Sequence, residues 1–131
     1  MPVERRVRIL VIEDDDDSRE MMRLLLEGVG HRVEEAKSGQ AGLDKLLELR
    51  PDLALIDVGL PDFDGYELVR SARVRAQGQR LYLVALTGYS QPEDRRRATA
   101  AGFDEILAKP VDWHALDQVL DTALGASSKD P

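Results

Sequence analysis

The stretch Leu53-Ala54-Leu55-Ile56-Asp57-Val58-Gly59-Leu60-Pro61 constrains the fold more than any other. Four apolar residues, with no polar alternation, run straight into an aspartate, and a Gly and a Pro follow. A short run of this kind suits a strand covered on both faces, as in a parallel sheet sandwiched by helices. Asp57 then stands at the carboxyl end of that strand, the edge where open α/β sheets bind ligands. Gly59 and Pro61 turn the chain away and leave the carboxylate in a loop crevice. Taken alone, such an aspartate more often closes a turn than performs chemistry. The rest of the chain changes that balance.

Val7 to Ile12 reads as a first strand, ending in the acid run Glu13 to Asp17. A helix follows, with Met21, Met22, Leu24, Leu25 and Val29 at helical spacing. Asp17 and Glu20 have the form of a capping box, and Gly28 and Gly30 stop the helix. Arg32 to Ala36 is short and polar, as edge strands are. Ser38 can cap a second helix burying Leu43, Leu46 and Leu47, which Arg50-Pro51 ends. After the central strand, Asp64 and Glu67 repeat the box before a third helix carrying Leu68, Val69 and Ala72. Gln77-Gly78-Gln79 is a turn, and Leu81 to Thr87 is a second apolar strand stopping at Gly88. Ser90, Glu93 and Pro92 suggest the start of a fourth helix. Its only apolar residues are Ala98, Ala100 and Ala101, so it is expected to pack least tightly. Phe103 to Ala108 is a last strand ending at Lys109-Pro110. Asp112 opens a final helix striped with Trp113, Leu116, Val119, Leu120 and Leu124.

Five strands alternating with five helices predict a doubly wound parallel sheet of order 2-1-3-4-5. The 131 residues fit one domain, with a core from about Val7 to Leu124 and a polar tail at 125–131. The absence of cysteine excludes disulfides, thiolate metal sites and a cysteine nucleophile. No apolar run spans a bilayer and Met1 to Arg6 carries no signal segment, so a cytoplasmic protein without membrane contact is expected. A net charge of -7 argues against general nucleic-acid binding. The basic Arg95-Arg96-Arg97 reads as a solvated helix face. Asp15, Asp16 and Asp17 read as helix-start acids, and His31 and His114 as surface residues.

In the expected order all the strand ends share one rim. They bring Glu13 and Asp14, Asp57, Thr87 and Lys109 together. Three crowded carboxylates raise one another's pKa unless a cation is present. An all-oxygen donor set favours a hard ion, Mg²⁺ or Mn²⁺. With Lys109 as a second positive charge, Asp57 becomes a carboxylate nucleophile for phosphoryl transfer. Thr87 can donate to a phosphoryl oxygen. Gly59 and Gly88 leave room beside the carboxylate.

With these residues assembled, the sequence resembles the receiver domains of two-component response regulators, from about Val7 to Leu124. The matching pieces are Glu13-Asp14, Asp57 with Leu60-Pro61 and Asp64-Gly65, Ala85 to Gly88, Ala101-Gly102 and Lys109-Pro110. The middle motifs are most similar to receivers attached to hybrid sensor kinases. The resemblance implies a flavodoxin-like fold and a phospho-accepting Asp57 served by a phosphohistidine on a partner kinase or phosphotransferase. It implies Mg²⁺ held by Asp14, Asp57 and the Gly59 carbonyl, with Glu13 acting through water, and a cis Lys109-Pro110 bond. Two positions depart from the family pattern. Ile106 stands where an aromatic or histidine commonly moves with the Thr, so a ring-based switch has no ring here. Tyr89, two residues past Thr87, is expected to shield an acyl phosphate from water. Two other functions compete. An aspartyl-nucleophile phosphatase would want a second acid where Gly59 stands. A pseudo-receiver would bind partners without phosphorylation, although all the chemical groups are present.

Overall fold

The structure, a computed structural model, describes residues 7–88 and 91–128, with side chains as far as position 123. The elements are β1 (Arg8–Ile12), α1 (Asp16–Gly28), β2 (Arg32–Ala36), α2 (Gly39–Leu49) and β3 (Leu53–Asp57). They continue with α3 (Gly65–Ala76), β4 (Leu83–Thr87), α4 (Pro92–Ala101), β5 (Glu105–Ala108) and α5 (Trp113–Ser128). The five strands form one parallel sheet in the order β2-β1-β3-β4-β5, as expected from the alternation.

The apolar strands divide their side chains between two cores. Leu10, Ile12, Ala54, Ile56, Leu83 and Ala85 face α2, α3 and α4. Ile9, Val11, Leu53, Leu55, Val84 and Leu86 face α1 and α5. All of these strand residues are fully buried, which is why β1, β3 and β4 carry no polar alternation. The edge strand β2 has one polar or part-exposed face and buries only Ala36.

The helices depart from the sequence expectation at their starts and faces. The cap of α1 is Asp15, not Asp17: its carboxylate accepts from the Ser18 N–H at 2.8 Å. The inward stripe of α1 is Arg19, Met22 and Leu26, spaced three and four apart, whereas Met21, Leu24 and Val29 are more than half exposed. Ser38 and Asp64 cap α2 and α3 as expected, but Asp64 accepts from Tyr66 N. The box at α4 is Gln91 with Asp94 rather than Ser90 with Glu93. Ser90 and Tyr89 lie outside the described residues, as does the Leu124 side chain. Two strands start later than the apolar runs suggested. Leu81 and Phe103 are buried yet precede the ladders that begin at Leu83 and Glu105. His31 is half-buried rather than exposed. Its Nδ1 lacks a partner, and burial lowers its pKa.

Candidate functional site

Parallel pairing places the carboxyl ends of β1, β3, β4 and β5 on one rim. Asp57, the last residue of β3, pairs with Leu86, and Thr87, the last residue of β4, pairs with Ala108. Val58 N–H donates to Leu86 O and Lys109 N–H donates to Thr87 O at 2.8 Å. The backbone ladder thus sets Lys109 one residue beyond β5, beside β4 and within reach of β3. The Lys109-Pro110 bond is cis, as the family resemblance implies.

Lys109 Nζ lies 2.8 Å from Glu13 Oε1 and 3.1 Å from Asp57 Oδ2. Asp57 Oδ1 accepts from the Gly59 N–H at 2.9 Å. Glu13 Oε2 accepts from the Asp15 N–H at 3.1 Å. Glu13, Asp57 and Thr87 are all buried, while Asp14 is exposed. Burial pushes the Glu13 carboxyl up, against the pull of Lys109 and the Asp15 N–H. Burial works against the Lys109 ammonium too, but its bonds to Glu13 and Asp57 prevail and hold its pKa above the usual lysine range.

Glu13, Asp14 and Asp57 each offer a carboxylate oxygen within 4.8 Å of the others. The donors are hard oxygens with no nitrogen or sulfur among them, which suits Mg²⁺ or Mn²⁺ and not a softer ion. Asp14 has its carboxylate exposed and Lys109 neutralises only part of the charge, so the cluster fits a divalent cation. Asp15, Asp16 and Asp17 are outside this cluster. Asp15 is spent on the α1 cap and Asp16 pairs with Arg19.

The structure therefore brings together Glu13, Asp14, Asp57 and Lys109. It places Gly59 against the Asp57 carboxylate and Thr87 on the neighbouring strand end. Gly88 has nothing within 4 Å of the position a Cβ would take, so space is open there. Ile106 is half-buried against the α3–α4 core.

Several contacts around the site were not anticipated from sequence. Gly65 is required by close approach: a Cβ there would lie 2.5 Å from Val58 Cα and 3.0 Å from Asp57 O. Asp62 accepts from the Gly39 and Gln40 N–H groups, which lowers its pKa and ties the β3–α3 loop to the start of α2. Arg95, Arg96 and Arg97 are exposed, as expected of a solvated helix face, but Arg97 also makes specific contacts. Its guanidinium stands 4.2 Å over the Tyr66 ring and 3.8 Å from Asp64. Arg19 is buried beneath Glu13, a position that its spacing to Met22 and Leu26 could have revealed. Beside Lys109 a cavity of about 470 Å³ is lined by Met21, Met22, Leu25, Val111 and Trp113.

Comparison with known proteins bears on the family and the overall fold. The family model for the response regulator receiver domain matches residues 9–121. An uncharacterized 14.6 kDa protein of Leptolyngbya boryana is 40% identical over 104 residues, which cover 79% of each chain. The KDP operon transcriptional regulatory protein KdpE of Escherichia coli is 38% identical over 88% of this chain, which spans only 50% of KdpE. With transcriptional regulatory proteins among the relatives, the absence of nucleic-acid binding expected from the net charge is not supported. A CheY-like receiver domain protein of Methanospirillum hungatei superposes with a TM-score of 0.83 at 29% identity, covering 96% of this chain and 100% of that one. Chemotaxis protein CheY4 of Vibrio cholerae gives a TM-score of 0.84 at 28% identity, covering 91% and 99%. Among the described residues no helix is long and apolar enough to cross a membrane.

Proposed function

This chain belongs to the response regulator receiver domain family, and on that premise we propose that it is a phospho-accepting signalling switch with Asp57 as the acceptor. The observation that carries the reading is Lys109 Nζ held between Glu13 and Asp57, at 2.8 and 3.1 Å, beside a third carboxylate. The whole chain acts as a single receiver domain in the cytoplasm. Its donor is the phosphohistidine of a partner kinase or phosphotransferase.

In the reaction an Asp57 carboxylate oxygen attacks phosphorus as the P–N bond to the donor imidazole breaks, and the imidazole leaves with the electron pair. The Gly59 N–H and the Lys109 ammonium orient the carboxylate before attack. Lys109 then faces the incoming phosphoryl oxygens, and the Thr87 hydroxyl donates to one of them. Asp14, Asp57 and the Gly59 carbonyl would hold Mg²⁺ or Mn²⁺, with Glu13 acting through water. When bound, the ion supplies positive charge that lets crowded carboxylates and a phosphoryl group coexist. The chain is a catalyst only of its own phosphorylation and dephosphorylation.

Incubation with acetyl phosphate and Mg²⁺, read by intact mass, tests the reading. One added phosphoryl group that disappears in Asp57→Asn is the expected result. Sustained hydrolysis of the donor without a covalent adduct would assign a phosphatase instead. No adduct and no turnover would assign a binding-only module.

A further inference from the structure

Arg19 is one of the few buried charged side chains, at 8% exposure. A guanidinium is costly to bury unless its donors are used. Here three acceptors from three segments take them. Nη1 donates to the Glu13 backbone oxygen at 2.8 Å, Nε to Glu35 on β2 at 3.1 Å, and Nη2 to Asp16 at the start of α1. Bonds to Asp16 and then Glu35 hold the guanidinium firmly in its charged form.

The Glu13 carbonyl belongs to the same planar peptide unit as the Asp14 N–H. Gripping that oxygen fixes the rotation of the unit, and with it the N–Cα bond on which the Asp14 side chain is carried. Glu13 is already fixed on its other sides: its N–H donates to Ala36 O at 3.1 Å, and its carboxylate meets Asp15 N and Lys109. Asp14 is exposed, and among the described residues no such bond orients its side chain. We propose that Arg19 is a positioning residue that aims Asp14 at the divalent ion by holding the Glu13–Asp14 peptide from below. The inference rests on the acceptor-site reading and adds to it a residue that touches neither metal nor phosphoryl group.

Arg23 supplies the matched control. It shares Glu35 with Arg19, at 3.2 Å, and pairs with Glu27 at 3.1 Å, and its ion pairs among the described residues do not include the β1–α1 loop. Arg19→Met leaves no acid stranded, because Glu35 keeps Arg23 and the Asp16 side chain is 78% exposed. Orienting partners behind metal ligands are typically worth about 10–100-fold in metal affinity. Mg²⁺ affinity by titration calorimetry, alongside the thermal unfolding midpoint of the metal-free protein, tests the idea on the full chain. The expected result is a loss of roughly 10-fold or more in Arg19→Met, a smaller loss in Arg19→Lys, and wild-type affinity in Arg23→Met. Unchanged affinity in Arg19→Met overturns the inference, and so do equal losses in Arg19→Met and Arg23→Met. Should Arg19→Met not fold, Arg19→Lys decides, and wild-type affinity there overturns it. A wild-type protein that binds no Mg²⁺ sinks the acceptor reading itself, a failure distinct from the others.

Discussion

The β1–α1 loop and α4 both reach the rim around Asp57, and they are held in opposite ways. In the loop, the N–H, the carbonyl and the carboxylate of Glu13 are all engaged, by Ala36, Arg19, Asp15 and Lys109. Helix α4 buries only Ala98 and Ala101. Among the described residues, Arg97 is the one α4 side chain with an ion pair or ring contact to another element. Carboxylates that are to share an ion have to be held still, whereas an element with few buried side chains opens at a small cost. A phosphoryl group can bias α4 only through contacts that differ between two states. The Tyr66–Arg97–Asp64 contact ties the exposed side of α4 to the β3–α3 segment, and Ala98, Ala101 and the Gly102 carbonyl tie its inner side to α3.

Substitutions that attack the fixed half should cost most. Gly65→Ala presses a methyl group into Val58 Cα and Asp57 O. Because backbone has to give way, a loss of about 3 kcal/mol is expected, the upper end for overpacking. Chemical denaturation measures it, and phosphoryl uptake should fall with it, since the acceptor strand end is what moves. A loss under ~1 kcal/mol would show that the fixed half is softer than its contacts imply.

Lys109→Met comes next. Lys109 has a raised folded pKa, so its contribution is fully present below its unfolded value near 10.5 and is lost as pH rises through the folded one. Glu13 has a raised pKa for the opposite charge type, so its burial weakens the fold as pH climbs through the folded value. Without Lys109 only the Asp15 N–H is left to offset that cost. A deficit of roughly 2 kcal/mol at pH 7 is expected, below the figure for a fully buried pair because Lys109 is part-exposed. Denaturation as a function of pH should show the deficit shrinking toward acid, as Glu13 takes up its proton. A deficit independent of pH would mean that the lysine stem, not its charge, does the stabilising.

Arg97→Ala should have the smallest effect on stability, about 1 kcal/mol or less, as for exposed cation–π and ion pairs. Its signature is local. Amide exchange over residues 92–101 should accelerate while that of α1 stays unchanged. Equal acceleration in both would erase the contrast between the two regions.

Much of this was legible in the sequence because it follows from backbone pattern. Unbroken apolar runs in β3 and β4 specify strands covered on both faces, and a polar residue at each run's end marks the rim. The α1 face was misjudged because five apolar residues outvoted a stripe that opens with an arginine. The spacing of Arg19 to Met22 and Leu26 points inward, but its three acceptors lie on separate segments and only the fold brings them together. The need for Gly65 was hidden for a similar reason: it depends on how closely α3 approaches β3, which no local pattern encodes. Arg97 sits in a run of three arginines, and only the packing of α3 against α4 singles it out.

The central claim is that Glu13, Asp14 and Asp57 surround a single divalent ion, with Lys109 beside it. Substoichiometric Mn²⁺ added to isotopically labelled protein reports this directly through paramagnetic broadening of backbone amides. Signals of residues 13–14, 57–59 and 109 are expected to vanish first, and to persist in Asp14→Asn at the same Mn²⁺ concentration. Broadening centred on Asp15 to Asp17 that spares Asp57 to Gly59 would contradict it.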